Sequence, residues 1–381
     1  SGDVLQFYTN AVSPTENSIV NGSFWQHVYV FIYRANACIE GLQTASNIST
    51  WYRDQLLGEA KFMRAFCYFN LVNLFGDVPL AITTNYEVNR QLSRSNKDSV
   101  YRQITNDLVD AAQLMQANYI TSGRFRPNKY TAMALLAKVY LYTGQWLKAE
   151  GTSSQIINSG IYSLQPLNSV FVTGSNEAIW QLLPLHAGFE TAEGWAFIPR
   201  NVQATPAYII SSYLFNSFEP GDNRKTNWLK SNTVNGVEYF YPYKYKLGRD
   251  NNTSPLESNM IFRLGEQFLI RAESRAQQGN ISGLNSAEED LNEIRGRAGL
   301  NDTAVSTSDD ILALIGHERR VELFCEWGNR WYDIKRTGKA DAVMQPITQA
   351  KGGTWNSSWQ VFPIPFAQIA INPALKQNKD Y

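Results

Sequence analysis

Glu318, Glu322 and Glu326 stand at i, i+4 and i+8 in "ERRVELFCEWGNRWYDIKRTG". On an α-helix that spacing places three carboxylates on one face. Paired acids are what glycoside hydrolysis needs, one to protonate the leaving oxygen and one to attack or to activate water. Arg319, Arg320 and Arg330 interleave with or follow them, together with Asp333. Arginines at that density pair with the carboxylates, so the favoured reading is a structural ion-pair network of Glu318, Arg319, Arg320, Glu322, Glu326, Arg330 and Asp333 that fixes the last helix pair. Other chemistry has little to build on. His27, His186 and His317 are the only histidines, and no HExxH or CxxC spacing occurs. No catalytic residue, metal or cofactor is expected, and the chain is read as a non-enzyme. Cys38, Cys67 and Cys325, odd in number and each inside an apolar helical pattern, are expected to be buried thiols.

Lysine plus arginine and aspartate plus glutamate both number 34, so the electrostatic footprint of a nucleic-acid binder is missing. Apolar residues make up 44% of the chain, which excludes disorder. The unusual feature is aromatic: 10 Trp, 20 Tyr and 19 Phe, many in segments that otherwise read as polar loops. Aromatics placed there have to bind something. The length suits about two domains or one extended helical array. The first residues are Ser-Gly-Asp, with no Met and no leader, so a mature or trimmed chain is expected, its targeting segment already removed. The longest uncharged apolar run is shorter than the ~18 to 20 residues a membrane span needs.

Helical spacing positions these residues. Trp25, Tyr29, Ile32 and Asn36 predict an amphipathic helix from Trp25 to Leu42, and further helices are expected over Trp51 to Phe75, Asp98 to Met115, Asn128 to Thr143, Trp146 to Asn158, Arg263 to Gln278, Ser286 to Ala298 and Asp310 to Trp327. They make about four hairpins. "YTAMALLAKVYLYTGQWLKAE" resembles a tetratricopeptide unit. "RAFCYFNLVNLFGDVP", from Arg64, is apolar nearly all round, as a helix packed between neighbouring hairpins must be, and Gly76 and Pro79 end it. From Ala178 to Asn259 the periodicity fades into Gly, Pro, Asn and aromatic residues. An irregular stretch of that length points to function. Two more aromatic stretches, "DVLQFYTN" and "GGTWNSSWQVFPIP", lie near the two ends. The expected fold is mainly α: four tetratricopeptide-like hairpins forming a superhelical scaffold, with an irregular α/β, loop-rich subdomain inserted between the second and third hairpin pairs. The expected segments are 1–24 (N-terminal loop), 25–177 (hairpins one and two with a following helix), 178–259 (variable subdomain), 260–345 (hairpins three and four) and 346–381 (C-terminal aromatic loop and tail).

"GEAKFMRAFCYFNLVNLFGDVPL", "FRLGEQFLIRAESRAQQGN", "LNEIRGRAGL", "ERRVELFCEWGNRWYDIKRTG" and "VFPIPFAQIAINPALKQNKDY" occur in this order along the chain. They resemble the successive signatures of the SusD/RagB family. That resemblance implies a surface lipoprotein of the Bacteroidota outer membrane. Such a protein binds an oligosaccharide or polysaccharide, sometimes a peptide, and hands it to a partner TonB-dependent (SusC-like) transporter. The lipid anchor is implied by resemblance alone, because the lipidated cysteine is not among these residues. The family's site is assembled from the loop ahead of the Trp25 helix and from the irregular middle segment. By region and residue type, the expected ligand contacts are Phe7, Tyr8, Asn10 and Phe24 from the first, Trp195, Trp228, Tyr239 and Tyr241 from the second, and Asp3, Asn201, Asp222 and Arg224 as polar partners. Trp25, Trp180, Trp331 and Tyr332 are assigned to the core. A stacked aromatic contributes about 1 to 2 kcal/mol, so three give roughly millimolar to micromolar binding. The alternatives are a peptide-binding member of the family and a tetratricopeptide-type scaffold for protein helices.

Overall fold

The computed structural model describes residues 2–184, 191–249 and 256–381. Its helices in chain order are α1 Gly2–Tyr8, α2 His27–Thr44, α3 Thr50–Phe75, α4 Tyr86–Asn89, α5 Lys97–Leu114, α6 Lys129–Tyr142, α7 Trp146–Ile157, α8 Ala192–Phe197, α9 Ser212–Phe215, α10 Asn223–Asn227, α11 Leu264–Gln277, α12 Ala287–Arg297, α13 Ser308–Glu322, α14 Asn329–Arg336, α15 Ala340–Ala350 and α16 Phe366–Ile371. Short strands accompany them: β1 Val78–Pro79 with β2 Arg94–Ser95, β3 Ala178–Leu182 with β6 Asn259–Arg263, and β4 Leu229–Val234 with β5 Val237–Pro242, all antiparallel. The fold is mainly helical. Among the described residues no helix is long and apolar enough to cross a membrane.

Two compact units divide the chain. The first joins the residues up to Gln116 to the segment Trp331–Tyr381; the second is Ala117–Arg330. In the first, α3 packs on both α2 and α5. Phe62, Tyr68, Leu71 and Phe75 of α3 are fully buried, each stabilising by about 1.5 to 3 kcal/mol. A Cβ on Gly58 would lie 2.6 Å from Met115 Cγ, so glycine is what lets α3 and α5 approach closely. The helix ends at Gly76, which takes a φ of 73° and returns its N–H to the Val72 carbonyl. The helix expected from Trp25 is preceded by a π-helical segment, Ile19–Gln26, that runs straight into α2 and already contains the buried Trp25. The N-terminal segment expected as a loop instead opens with α1, tied down through Asp3, whose carboxylate accepts from the Ser18 hydroxyl.

In the second unit α7 packs on α6 and α11, and α11 also packs on α12 and α13. Asn128 opens α6 with a capping box: its side chain accepts from Thr131 N–H at 2.9 Å, and the Thr131 hydroxyl receives Asn128 N–H at 3.2 Å. The irregular middle is more ordered than its composition implies. β4 and β5 form a hairpin through Asn235 and Gly236, both at positive φ (52° and 78°), which is the two-residue turn an Asn-Gly pair favours. Its core gathers Phe171, Trp228, Tyr245, Met260 and Phe324.

Two expectations need correction here. The last predicted helix stops at Glu322 and does not reach Trp327, because Cys325 and Trp327 adopt positive φ (55° and 43°) and turn the chain back. Of the cysteines, Cys67 is a buried thiol, its pKa pushed up to about 12 by burial, and burial also pushes the Cys325 thiol up to about 11 although the residue as a whole is exposed in that turn; Cys38, exposed on α2, is the one that departs from the expectation.

Candidate functional site

The carboxylate cluster is built from α13 and the turn after it. Glu318 and Glu322 are on the helix; Glu326 lies beyond its end, so the three do not form one helical face. Arg224 bridges Glu318, Glu322 (3.0 Å) and Asp222 (2.9 Å). Arg263 reaches Glu177 at 2.9 Å, Glu322 at 2.6 Å and Glu326 at 2.8 Å, while Arg297 pairs with Glu177 at 2.7 Å and also with Glu322. Lys244 closes the cluster against Glu326. All of these groups are buried except Arg297, which is partly buried. Burial alone pushes the Glu322 carboxyl up, but Arg297, Arg263, Arg224 and Lys244 outweigh it and hold the group well below the carboxylate range. The Glu322 carboxylate accepts from three guanidiniums and, held ionised by them, has no proton to give.

Other members of that expected network have further partners. Arg319 lies 3.8 Å from Glu266, which Lys138 pairs at 2.8 Å. Arg320 donates to the Tyr213 carbonyl at 2.6 Å. Asp333 belongs to the first unit and pairs with Arg336 at 2.8 Å, and Arg330 ends the second unit.

Four expected ligand contacts lie buried in the structure. Trp228 is wholly buried: its indole donates to the Leu167 carbonyl at 3.0 Å and meets Phe171 edge-on at 5.8 Å. Arg224 is consumed by the ion-pair network. Asp222 is held both by that arginine and by capping the Arg224 N–H at 2.9 Å. Tyr241 is buried on β5, close to the hairpin's packed end. A polar or aromatic residue among loops reads the same in sequence whether the loop folds over it or not.

The remaining candidates of the second unit stay accessible. Trp195, on α8, is partly buried, with the Arg249 guanidinium 3.9 Å from its ring centre. Asn201 is exposed, its amide oxygen accepting from Gln203 N–H at 3.0 Å, and Tyr239 is partly exposed on β5.

The first unit gathers its candidates more closely. Phe24 stacks on Phe362 at 6.2 Å with only 8° between the rings, and Phe7 meets both edge-on at 6.1 and 5.6 Å. Beside them lies a cavity of about 200 Å³ walled chiefly by Phe7, Trp331, Trp355, Trp359 and Phe362, with Asn10 at its edge. Asn10 holds a φ of 57° and donates to the Thr348 hydroxyl at 2.8 Å. Trp355 meets Trp331 edge-on at 6.2 Å and donates to Asp341 at 2.8 Å, a bond that lowers the pKa of that carboxyl. The indole N–H groups of Trp331 and Trp359 are buried with no acceptor among the described residues. Buried donors of that kind ordinarily find a partner. Tyr8 is exposed outside the cavity, with Lys351 Nζ 4.6 Å from its ring centre.

Trp355 and Trp359 belong to the aromatic stretch near the C-terminus, noticed in sequence but not assigned to a site; Trp331, assigned to the core, forms cavity wall. Chemically, the cavity offers flat apolar faces, which suit the packing of a ring.

The described residues combine helical packing around buried ion pairs with an aromatic-walled cavity in the first unit. Residues 1–141 match a family described as "Starch-binding associating with outer membrane", and residues 213–381 match the SusD family. The chain belongs to the SusD/RagB family. A SusD-like protein of Formosa agariphila is 25% identical, over 97% of this chain and 83% of its own, and one of Bacteroides ovatus is 26% identical, over 86% and 67%. Among solved structures, a SusD superfamily protein of Bacteroides vulgatus superposes with a TM-score of 0.84 at 23% identity, covering all of this chain and 89% of that one. A protein described as a laminarin-binding SusD-like protein gives 0.79 at 23% identity, over 100% and 89%, and surface glycan-binding protein A of Bacteroides uniformis gives 0.81 at 22%, over 99% and 88%. These likenesses establish the fold.

Proposed function

We propose that this chain captures an oligosaccharide or polysaccharide at the bacterial cell surface and delivers it, unaltered, to a partner TonB-dependent outer-membrane transporter, with a lipid anchor holding it to the outer membrane. The observation that carries the reading is the aromatic cavity of the first unit, where Phe7, Asn10 and the tryptophans Trp331, Trp355 and Trp359 converge. Aromatic faces pack on the C–H faces of a pyranose ring. The starch-binding family description and the laminarin- and glycan-binding names of structural neighbours support the same ligand class. The buried pairing of Glu318, Glu322 and Glu326 supports binding without turnover.

The test is calorimetric titration of the purified protein against a panel of oligosaccharides and peptides. Phe7→Ala, Asn10→Ala and Trp355→Ala are each expected to weaken glycan binding by roughly tenfold, the loss of about 1 to 1.5 kcal/mol. Binding of peptides alone, or glycan binding unchanged in all three variants, would overturn the reading.

A further inference from the structure

A second concavity lies in the first unit and shares no wall with the aromatic cavity. It is a cleft of about 630 Å³ between α2, the segment from Pro79 to Leu92 and the C-terminal stretch around α16. That size is typical of a small-ligand site. Tyr33 and Tyr86 line it and are 55% and 72% exposed, which leaves ring faces open to a ligand. Among the described residues no carboxylate lines it, and Arg90, the one charged lining residue among them, is paired through Nε with Glu87 at 2.7 Å, so its outer N–H groups remain for other acceptors.

The polar lining is selective in what it leaves unused. Asn89 donates to the Thr83 carbonyl at 2.7 Å, but its amide oxygen is buried with no donor among the described residues. Gln368 donates to Asn21 at 3.2 Å, leaving its oxygen, and Gln26 lies exposed at the cleft wall. Donors and acceptors are therefore mixed and nearly neutral overall, as hydroxyl groups require, since each hydroxyl both gives and accepts. The wall that carries Tyr86 is also held rigidly. The Glu40 carboxylate accepts from the Thr83 hydroxyl and the Thr84 N–H, both at 2.8 Å, while Asn36 donates to the Ala81 carbonyl at 3.0 Å and is itself fixed by Arg64 at 2.9 Å. A pre-ordered loop reduces the entropy lost when a ligand binds.

We propose that this cleft is a second saccharide-binding site, specific for uncharged oligosaccharides, in which Tyr33 and Tyr86 are the stacking faces and Gln26, Asn89, Arg90 and Gln368 contact hydroxyl groups. The inference rests on the glycan-binding reading above and adds to it a separate subsite and a neutral ligand class. Two subsites on one molecule raise the effective concentration of a long chain at each of them.

The experiment is calorimetric titration with neutral hexasaccharides (glucan, xylan, mannan and galactan series) and with oligouronates of the same length. It uses the wild type, the Tyr33→Ala/Tyr86→Ala double variant, the Tyr33→Phe/Tyr86→Phe double variant and Phe7→Ala. Both tyrosines are exposed, so an unchanged melting temperature is expected and checks the fold. The expected result is that a neutral hexasaccharide binds the wild type at two sites, that the alanine pair removes one site or weakens it at least about tenfold, and that the phenylalanine pair retains it. Neutral binding lost in Phe7→Ala but untouched by the alanine pair overturns this site and leaves the general function standing. Preference for oligouronates overturns the neutral ligand class, and absence of binding to every glycan overturns both proposals together.

Discussion

Glu322 sits where three arginines and a lysine converge, and its contribution has a definite pH signature. Its folded pKa lies well below the usual value of 4.5. A carboxyl depressed in this way supplies stability that is fully present above its unfolded pKa and is lost as pH falls through the folded one. Glu322→Gln leaves Arg263 and Arg297 short of a counter-charge in a buried setting, which costs about 3 to 5 kcal/mol. Thermal melts should show a lowered melting temperature at pH 7 and a gap to the wild type that narrows below about pH 4.5. A gap independent of pH would contradict the assignment. Neither protein is expected to release reducing ends from a glycan; turnover by the wild type that disappears in Glu322→Gln would make the cluster catalytic. At this scale the sequence carried residue type but not burial. Trp195 and Trp228 occur in equally polar surroundings, yet one is partly exposed under Arg249 and the other is wholly enclosed by Phe171, Phe324 and Lys244. Trp228→Ala is therefore expected to cost about 3 to 5 kcal/mol in denaturant melts, with glycan affinity of the folded protein unchanged.

The helices were legible almost to the residue wherever periodicity and caps agreed. Thr50–Phe75, Lys97–Leu114 and Trp146–Ile157 lie within a residue of expectation. What periodicity missed was local backbone chemistry. "TVNGVEY" holds the Asn-Gly signal of a tight hairpin inside a stretch read as irregular, and the left-handed Cys325 and Trp327 cut α13 short inside a stretch read as helix. Gly265, second residue of α11, is a case where local propensity and packing oppose one another. On an open helix Gly→Ala gains about 1 kcal/mol. Here the new Cβ would lie 2.6 Å from Arg263 Nη1 and 3.0 Å from Glu177 Oε1. Arg263 cannot swing away without breaking its bonds to Glu322 and Glu326. Gly265→Ala should destabilise by about 1 to 3 kcal/mol in urea melts, the cost of overpacking; a stabilised variant would mean the network yields more readily than its bonding implies.

At the scale of the whole molecule, composition marks segments along a chain but says nothing of which segments return to one another. The first unit depends on such a return. Phe362 packs on Phe75 at 6.1 Å and stacks on Phe24, Tyr332 meets Phe69 at 6.1 Å, and Asn378 donates to the carbonyls of Phe75 and Phe362 at 2.9 and 2.7 Å. Its aromatic cavity is made the same way, from α1 and from tryptophans more than three hundred residues later in the chain, which is why the cavity could not be assembled from sequence. The second unit is continuous and encloses both its own apolar clusters and the ion-pair network around Glu322. Two truncations separate these dependences. A chain of residues 117–330 is expected to give a helical circular-dichroism spectrum and one cooperative melt, because every partner of Glu177, Arg224, Arg263 and Glu322 in the network is inside it. A chain of residues 1–330 lacks what covers Phe24, Phe69 and Phe75, so limited proteolysis should cut it readily ahead of residue 117 while the second unit survives. Resistance of the 1–330 chain equal to that of the full chain would show that the first hundred or so residues complete a core without the returning segment, and the cavity's construction from the two ends would lose its structural reason.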